Sequence, residues 1–83
     1  MELRVPKIWI ADDDEAIRMV LEEGLKSAGL EIVTFADGES LIDALNNDKP
    51  DLVISDIKMP GMHGYDLLKH IKNNYDKLPV IIM

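Results

Sequence analysis

The chain has 83 residues, room for one small domain whose buried fraction, and hence stability, is modest. Hydrophobic residues (47%) and charged residues (30%) occur in proportions that argue against disorder, and the absence of cysteine excludes disulfides, thiolate metal sites and cysteine catalysis. Sixteen acids against nine bases leave a net charge of −7, which repels nucleic acid and anionic membranes and favours cationic partners and divalent metals.

The opening stretch Met1-Glu2-Leu3-Arg4-Val5-Pro6-Lys7 lacks the apolar centre of a secretory signal, and no run is long enough to span a bilayer, so the chain reads as cytoplasmic. Residues 7–11, Lys-Ile-Trp-Ile-Ala, are rich in β-formers and predict a first strand. Asp12-Asp13-Asp14-Glu15 ends it. A helix over about 15–28 follows, with Ile17, Val20, Leu21, Leu25 and Ala28 on one face, acids at its start and Gly29 as its stop. Gly24 weakens that helix by about 1 kcal/mol relative to alanine, for which close packing on a neighbour is the plain explanation.

Residues 31–35 predict a second strand. Asp37-Gly38 turns into a helix over about 38–47 carrying Leu41, Ile42 and Leu45, which Asn46-Asn47-Asp48 and Pro50 stop. Leu52-Val53-Ile54, running into Ser55-Asp56, reads as a third strand over about 52–56 buried on both faces. Pro60, Gly61 and Gly64 mark a shaped loop. A third helix over about 64–74 shows Tyr65, Leu68 and Ile71 at helical spacing with Leu67 beside them, and residues 79–83 predict a fourth strand.

The order βαβαβαβ implies an α/β fold, a doubly wound parallel sheet with right-handed crossovers. If the second strand lies outside the first, one helix covers one face while two cover the other. A helix about 10 Å across cannot shield four strands spaced about 4.8 Å apart. The last strand also carries no charge to protect an edge. On these grounds the domain is expected to be unfinished, with strand 4 exposed and prone to self-association or swapping.

Asp12 and Asp13 end strand 1 and Asp56 ends strand 3. In a sheet of order 2-1-3-4 these strands are neighbours, and their following helices leave on opposite faces, opening a crevice at the carboxyl edge. Three carboxylates meeting there repel one another and have raised pKa values unless a cation joins them. Mg²⁺, a hard ion taking oxygen ligands, suits such a set, with a backbone carbonyl just past Asp56 completing it and one carboxylate free to act as nucleophile on a phosphoryl group. Each piece alone also has a plain reading: Asp12 to Glu15 as a solvated helix start, Asp56 as a turn residue.

Three separated segments, Trp9-Ile10-Ala11-Asp12-Asp13-Asp14 with Ile17-Arg18, Pro50 through Met62, and Leu78-Pro79-Val80-Ile81-Ile82-Met83, resemble the receiver domain of two-component response regulators. Their wording is most similar to the nitrogen-regulatory, enhancer-binding class. The resemblance implies a flavodoxin-like sheet of order 2-1-3-4 over residues 1–83, lacking a last helix, strand and helix. It implies a phosphoacceptor module rather than a turnover enzyme, with Asp56 taking a phosphoryl group from the phosphohistidine of a sensor kinase. Asp13 matches a direct Mg²⁺ ligand, Asp12 an acid that helps through water, and Lys58 the residue whose backbone carbonyl also ligates. Asp14 matches no such role and reads as a helix cap. Pro60 and Gly64 match the rim of the pocket. Output and DNA-binding domains are expected in the full-length protein.

Against that pattern, the small hydroxyl residue and the lysine that normally contact the phosphoryl group are absent from the chain, and His63 stands where many relatives carry an acid. Arg18 reads as a surface ion-pair partner or a group on the phosphate side of the pocket. Trp9 reads as core, His70 as surface, and Met59, Met62 and Met83 as fillers. Two rivals remain. A Mg²⁺-dependent aspartyl phosphotransferase or phosphatase would need an acid two positions after the nucleophile, where Lys58 stands. An inactive structural fragment would self-associate without responding to metal. A flavin-binding relative lacks its phosphate loop here, because no Ser/Thr/Gly run follows strand 1.

Overall fold

The computed structural model describes residues 4–83; Met1, Glu2 and Leu3, which open the stretch read above for a signal, lie outside the described residues. Strands β1 (Lys7–Ala11), β2 (Glu31–Phe35), β3 (Leu52–Ser55) and β4 (Val80–Ile82) alternate with helices α1 (Glu15–Ser27), α2 (Gly38–Leu45) and α3 (Gly64–Asn74). All strand pairs are parallel, in the order β2-β1-β3-β4. β1 is central: Trp9 stands beside Val33 and Val53, and Ile10 beside Thr34 and Ile54. β4 is shorter than its apolar run because Pro79 has no N–H to donate. Even so, the Pro79 carbonyl accepts from Val53 and the Met83 N–H donates to Ser55, so pairing extends one residue past each end.

The helices start and stop where local chemistry dictates. The Asp14 carboxylate caps α1 by accepting from the Ala16 and Ile17 N–H groups. At the other end Gly29 adopts φ +86°, and the Gly29 and Leu30 N–H groups bond back to Lys26 and Leu25, satisfying carbonyls the helix leaves open. Asp37 caps α2 through the Ser40 N–H at 2.8 Å.

Alternation along β1 splits the core between the two faces of the sheet. Trp9, Ala11 and Val53 pack with Leu41 and Leu45 of α2, Leu67 and Ile71 of α3, and Met59 and Leu78. Trp9 also meets the Phe35 ring, with centroids 5.3 Å apart and planes inclined by 57°. At about 1.5–3 kcal/mol per buried large apolar side chain, this face is the main source of stability. On the opposite face Ile8, Ile10 and Ile32 are buried against a partly covered shell of Leu21, Leu25, Leu30, Leu52 and Ile54.

The structure narrows two of the apolar stripes read from periodicity. α1 has no fully buried residue: Leu21 and Leu25 pack, whereas Ile17 and Val20 are 43% and 68% exposed. In α3 the buried stripe is Gly64, Leu67 and Ile71, and Tyr65 is exposed. β3 is not buried on both faces, since Leu52 and Ile54 stay half-buried on the side with one helix, and Ile81 beside Ile54 is half-exposed. One helix does not reach across four strands. Nor does Gly24 pack closely on anything; a Cβ there would find open space.

At the amino edge of the sheet Asp51 accepts from the Lys7 N–H and pairs with Arg4, while the Lys7 ammonium pairs with Asp48. These contacts tie the chain entering β1 to the one entering β3. None of the described helices is long and apolar enough to cross a membrane.

Candidate functional site

The ladder carries two acids to the carboxyl edge of the sheet. The Asp12 N–H donates to Phe35 at 3.0 Å, extending β1 along β2, and the Asp56 N–H donates to Ala11 at 2.9 Å, extending β3 along β1. Each acid therefore sits one rung beyond its strand, held by backbone. One carboxylate oxygen from each of Asp12, Asp13 and Asp56 lies within 4.8 Å of the other two.

The three differ in setting. Asp12 is 1% exposed, Asp56 is half-buried and Asp13 faces solvent. Burial pushes the Asp12 carboxyl above the usual carboxylate range, the Asp14 N–H bonded to it at 2.9 Å pulls the other way, and Asp56, Asp13 and Asp14 add to the rise. A fully buried carboxylate beside two others is a strained electrostatic arrangement that a bound cation relieves. An all-oxygen set of this kind suits a hard divalent ion such as Mg²⁺.

Past Asp56 the chain turns sharply. The exposed Lys58 points its N–H at an Asp56 carboxylate oxygen over a long 3.4 Å, which sets the Lys58 backbone beside that carboxylate. Met59 is 2% exposed and anchors the loop in the core. Gly61 takes φ +77°, and Met62 lies against Gly38 at the start of α2, its sulfur 3.2 Å from where a Cβ on that glycine would stand. Gly64 then opens α3 pressed onto the Asp56 backbone, its N–H bonded to Ile57 at 3.0 Å. Pro60 is exposed on this loop, and His63, also exposed, is the N-cap residue of α3 without a side-chain capping bond.

Ser55 escaped the sequence reading, and Arg18 makes a contact that reading did not specify. Ser55 is completely buried, and its hydroxyl donates to the Asp56 carbonyl at 2.9 Å; a lone hydroxyl inside an apolar strand directly before the acid was the available signal. Arg18 is half-buried and forms no ion pair among the described residues; instead it donates to the Asp12 carbonyl at 2.6 Å. His70 is half-buried at the surface, and Met83 is exposed.

A separate crevice of about 390 Å³ lies at the opposite edge, among Lys49, Asp51, Tyr75 and Lys77, with the Lys49 ammonium 5.2 Å from the Tyr75 ring centre. Its two acids, Asp51 and Asp76, form no metal-binding trio among the described residues like that at the carboxyl edge.

A parallel doubly wound sheet of order 2-1-3-4, with three acids converging at its switch point, defines a flavodoxin-like α/β domain with its ligand crevice at the carboxyl edge. Residues 8–83 match the response regulator receiver domain family, and the chain belongs to that family. It is 55% identical over 75 residues to the DNA-binding transcriptional regulator NtrC of Klebsiella pneumoniae, a match covering 90% of this chain and 16% of that protein. The chain thus spans about a sixth of the length of such a relative. Among solved structures it is similar to a beryllofluoride-activated NtrC receiver domain, with TM-score 0.85 and 48% identity over 98% of this chain and 65% of that one. It is also similar to the response regulator TrrA of Thermotoga maritima in complex with Mg²⁺-BeF, with TM-score 0.90 and 33% identity over 94% of this chain and 68% of that one.

Proposed function

We propose that this chain is the phosphoacceptor module of a two-component response regulator, with Asp56 as the acceptor. The observation that carries the reading is the convergence of the Asp12, Asp13 and Asp56 carboxylates within 4.8 Å at the crevice between β1 and β3, in a chain of the receiver family.

Asp13, Asp56 and the Lys58 backbone carbonyl would hold Mg²⁺, with Asp12 as the assisting acid; the ion would supply positive charge that offsets the acids and the phosphoryl oxygens. The Asp56 carboxylate attacks the phosphorus of a kinase phosphohistidine. The P–N bond breaks, its electron pair returns to the imidazole nitrogen, which takes up a proton, and an acyl phosphate forms on Asp56. The bond from the Asp56 N–H to the Ala11 carbonyl and that from the Ser55 hydroxyl to the Asp56 carbonyl hold the acceptor so that little reorganisation accompanies the attack.

By similarity to NtrC, the donor is a sensor histidine kinase in the cytoplasm and the output is transcriptional, through other domains of the full-length protein. The β4 edge, with Ile81 50% exposed, favours self-association. Light scattering that gives a monomer mass at every concentration removes that clause.

Phosphoramidate, a small P–N donor, tests the acceptor. Intact-mass measurement is expected to show one phosphoryl group on the parent in Mg²⁺, none after chelation, and none on Asp56→Asn. Labelling that persists in Asp56→Asn, or that ignores Mg²⁺, rules the assignment out. Steady turnover of a phosphate ester would instead favour the phosphatase rival.

A further inference from the structure

We infer that Arg18 is a positioning residue for the acid cluster: by clamping the Asp12 carbonyl it fixes the peptide plane that joins Asp12 to Asp13. The inference rests on the Mg²⁺-binding reading above and concerns a residue outside the ligand set.

The Asp12 carbonyl and the Asp13 N–H belong to one rigid peptide unit, so whatever holds that carbonyl sets the direction in which the Asp13 Cα and its carboxylate leave. The other contacts of the segment do not hold it. The Asp12 N–H is taken by Phe35, the Asp12 carboxylate accepts from the Asp14 N–H, and the Asp14 carboxylate caps α1. Rotation of the unit between the two acids is restrained by Arg18 Nη1 at 2.6 Å. Arg18 is itself placed by the helix, since its own N–H bonds to the Asp14 carbonyl at 3.0 Å. The segment Asp12–Asp14 is thus closed into a ring by the first turns of α1, and exposed Asp13 inherits its aim from that ring.

Helix capping does not require this contact, because Asp14 already supplies the cap. A charge-balancing role is the natural competitor, since a permanent cation lies beside a cluster of acids. The two roles have opposite signs. Removing a cation from the rim of a cation site tightens Mg²⁺ binding, and that gain is screened by salt. Removing a clamp loosens the ligands and weakens binding, with little salt dependence.

The test compares the parent, Arg18→Met, which keeps the aliphatic stem, and Arg18→Lys, which keeps a donor at similar reach. Mg²⁺ is titrated at low and high salt while Trp9 emission is followed, and amide exchange at Asp13 and Asp14 is measured without metal. Arg18→Met is expected to weaken Mg²⁺ about tenfold, the lower end of what outer-shell losses cost, by the same factor at both salt levels. Arg18→Lys is expected to recover part of that loss, and the two amides to exchange faster in Arg18→Met. Equal or tighter Mg²⁺ binding in Arg18→Met, or unchanged exchange, overturns the inference. Should Arg18→Met lose its fold, Arg18→Lys with faster Asp13 exchange supports the clamp, and parent-like exchange with tighter Mg²⁺ binding refutes it. A parent that ignores Mg²⁺ overturns the metal-site reading instead, and the metal-free exchange then decides on Arg18 alone.

Discussion

Replacing Gly64 by alanine probes how tightly the acceptor is held. A Cβ built on Gly64 falls 2.1 Å from the Asp56 carbonyl oxygen and 2.9 Å from both the Asp56 carbonyl carbon and the Ile57 Cα. Real Cβ contacts essentially never come under 3.0 Å, so loop and helix must part by about 0.9 Å. Every atom met is backbone, and no flexible side-chain tip can swing away. Gly64 has an ordinary helical φ, so the cost is steric and conformational strain contributes nothing. Overpacking of this kind costs roughly 1–3 kcal/mol, and the rigid partners put it near the top of that range. Reduced freedom of the unfolded chain returns about 0.4–1 kcal/mol. The net loss is about 2 kcal/mol, or roughly 8–16 °C in midpoint for a domain of this size. Thermal or urea unfolding followed by Trp9 emission measures it. Gly24→Ala is the internal control: the same chemical change in open space, expected to stabilise by up to about 1 kcal/mol. A Gly64→Ala midpoint equal to or above the parent's would refute the steric reasoning.

Three further outcomes follow from the charges and caps. The folded pKa of Asp12 lies above its unfolded value, so its protonated form contributes stability at low pH that is lost as pH rises through the folded pKa. Metal-free Asp12→Asn is therefore expected to melt above the parent at pH 7, with the gap closing towards about pH 4, and a gap independent of pH would contradict this. Asp51 has the opposite sign: the Lys7 N–H first, and then Arg4, hold its pKa down, so its contribution is present above about pH 4 and lost as pH falls through the folded pKa. Asp51→Asn is expected to lower the melting point at neutral pH and to match the parent in acid. Asp37→Ala removes the α2 cap and is expected to cost about 1 kcal/mol in urea unfolding, with Asp37→Asn close to the parent.

The alternation of strand and helix and the placing of an acid at each strand end were legible because each rests on local chemistry, whereas the 2-1-3-4 order, and with it the convergence of the acids, came from the family resemblance. Asp12 and Asp56 follow short apolar runs that cannot continue past a charge, and Asp14 and Gly29 mark helix ends by their own conformational preferences. What periodicity does not encode is how far a neighbour reaches. Ile17, Val20 and Tyr65 lie on apolar stripes, yet the packing partner covers a different part of each helix. Gly24 suggested close approach and found none. Arg18 was the harder case. Its role depends on a carbonyl, which every residue has, six positions away around a turn whose shape no side chain announces.

The capping of α1 by the Asp14 carboxylate and the bond from the Arg18 guanidinium to the Asp12 carbonyl couple a helix to a ligand site through side chains that grip backbone. α1 is held on the sheet mainly through half-buried Leu21 and Leu25, the lighter of the two faces. Detaching that helix would free the Asp12–Asp13 peptide while the Trp9 cluster on the other face stayed intact. Any cation that needs both acids in register must then, by reciprocity, favour the docked helix by the same free energy that docking lends to the cation. Occupancy at one edge of the sheet and the seating of α1 are two readings of a single equilibrium.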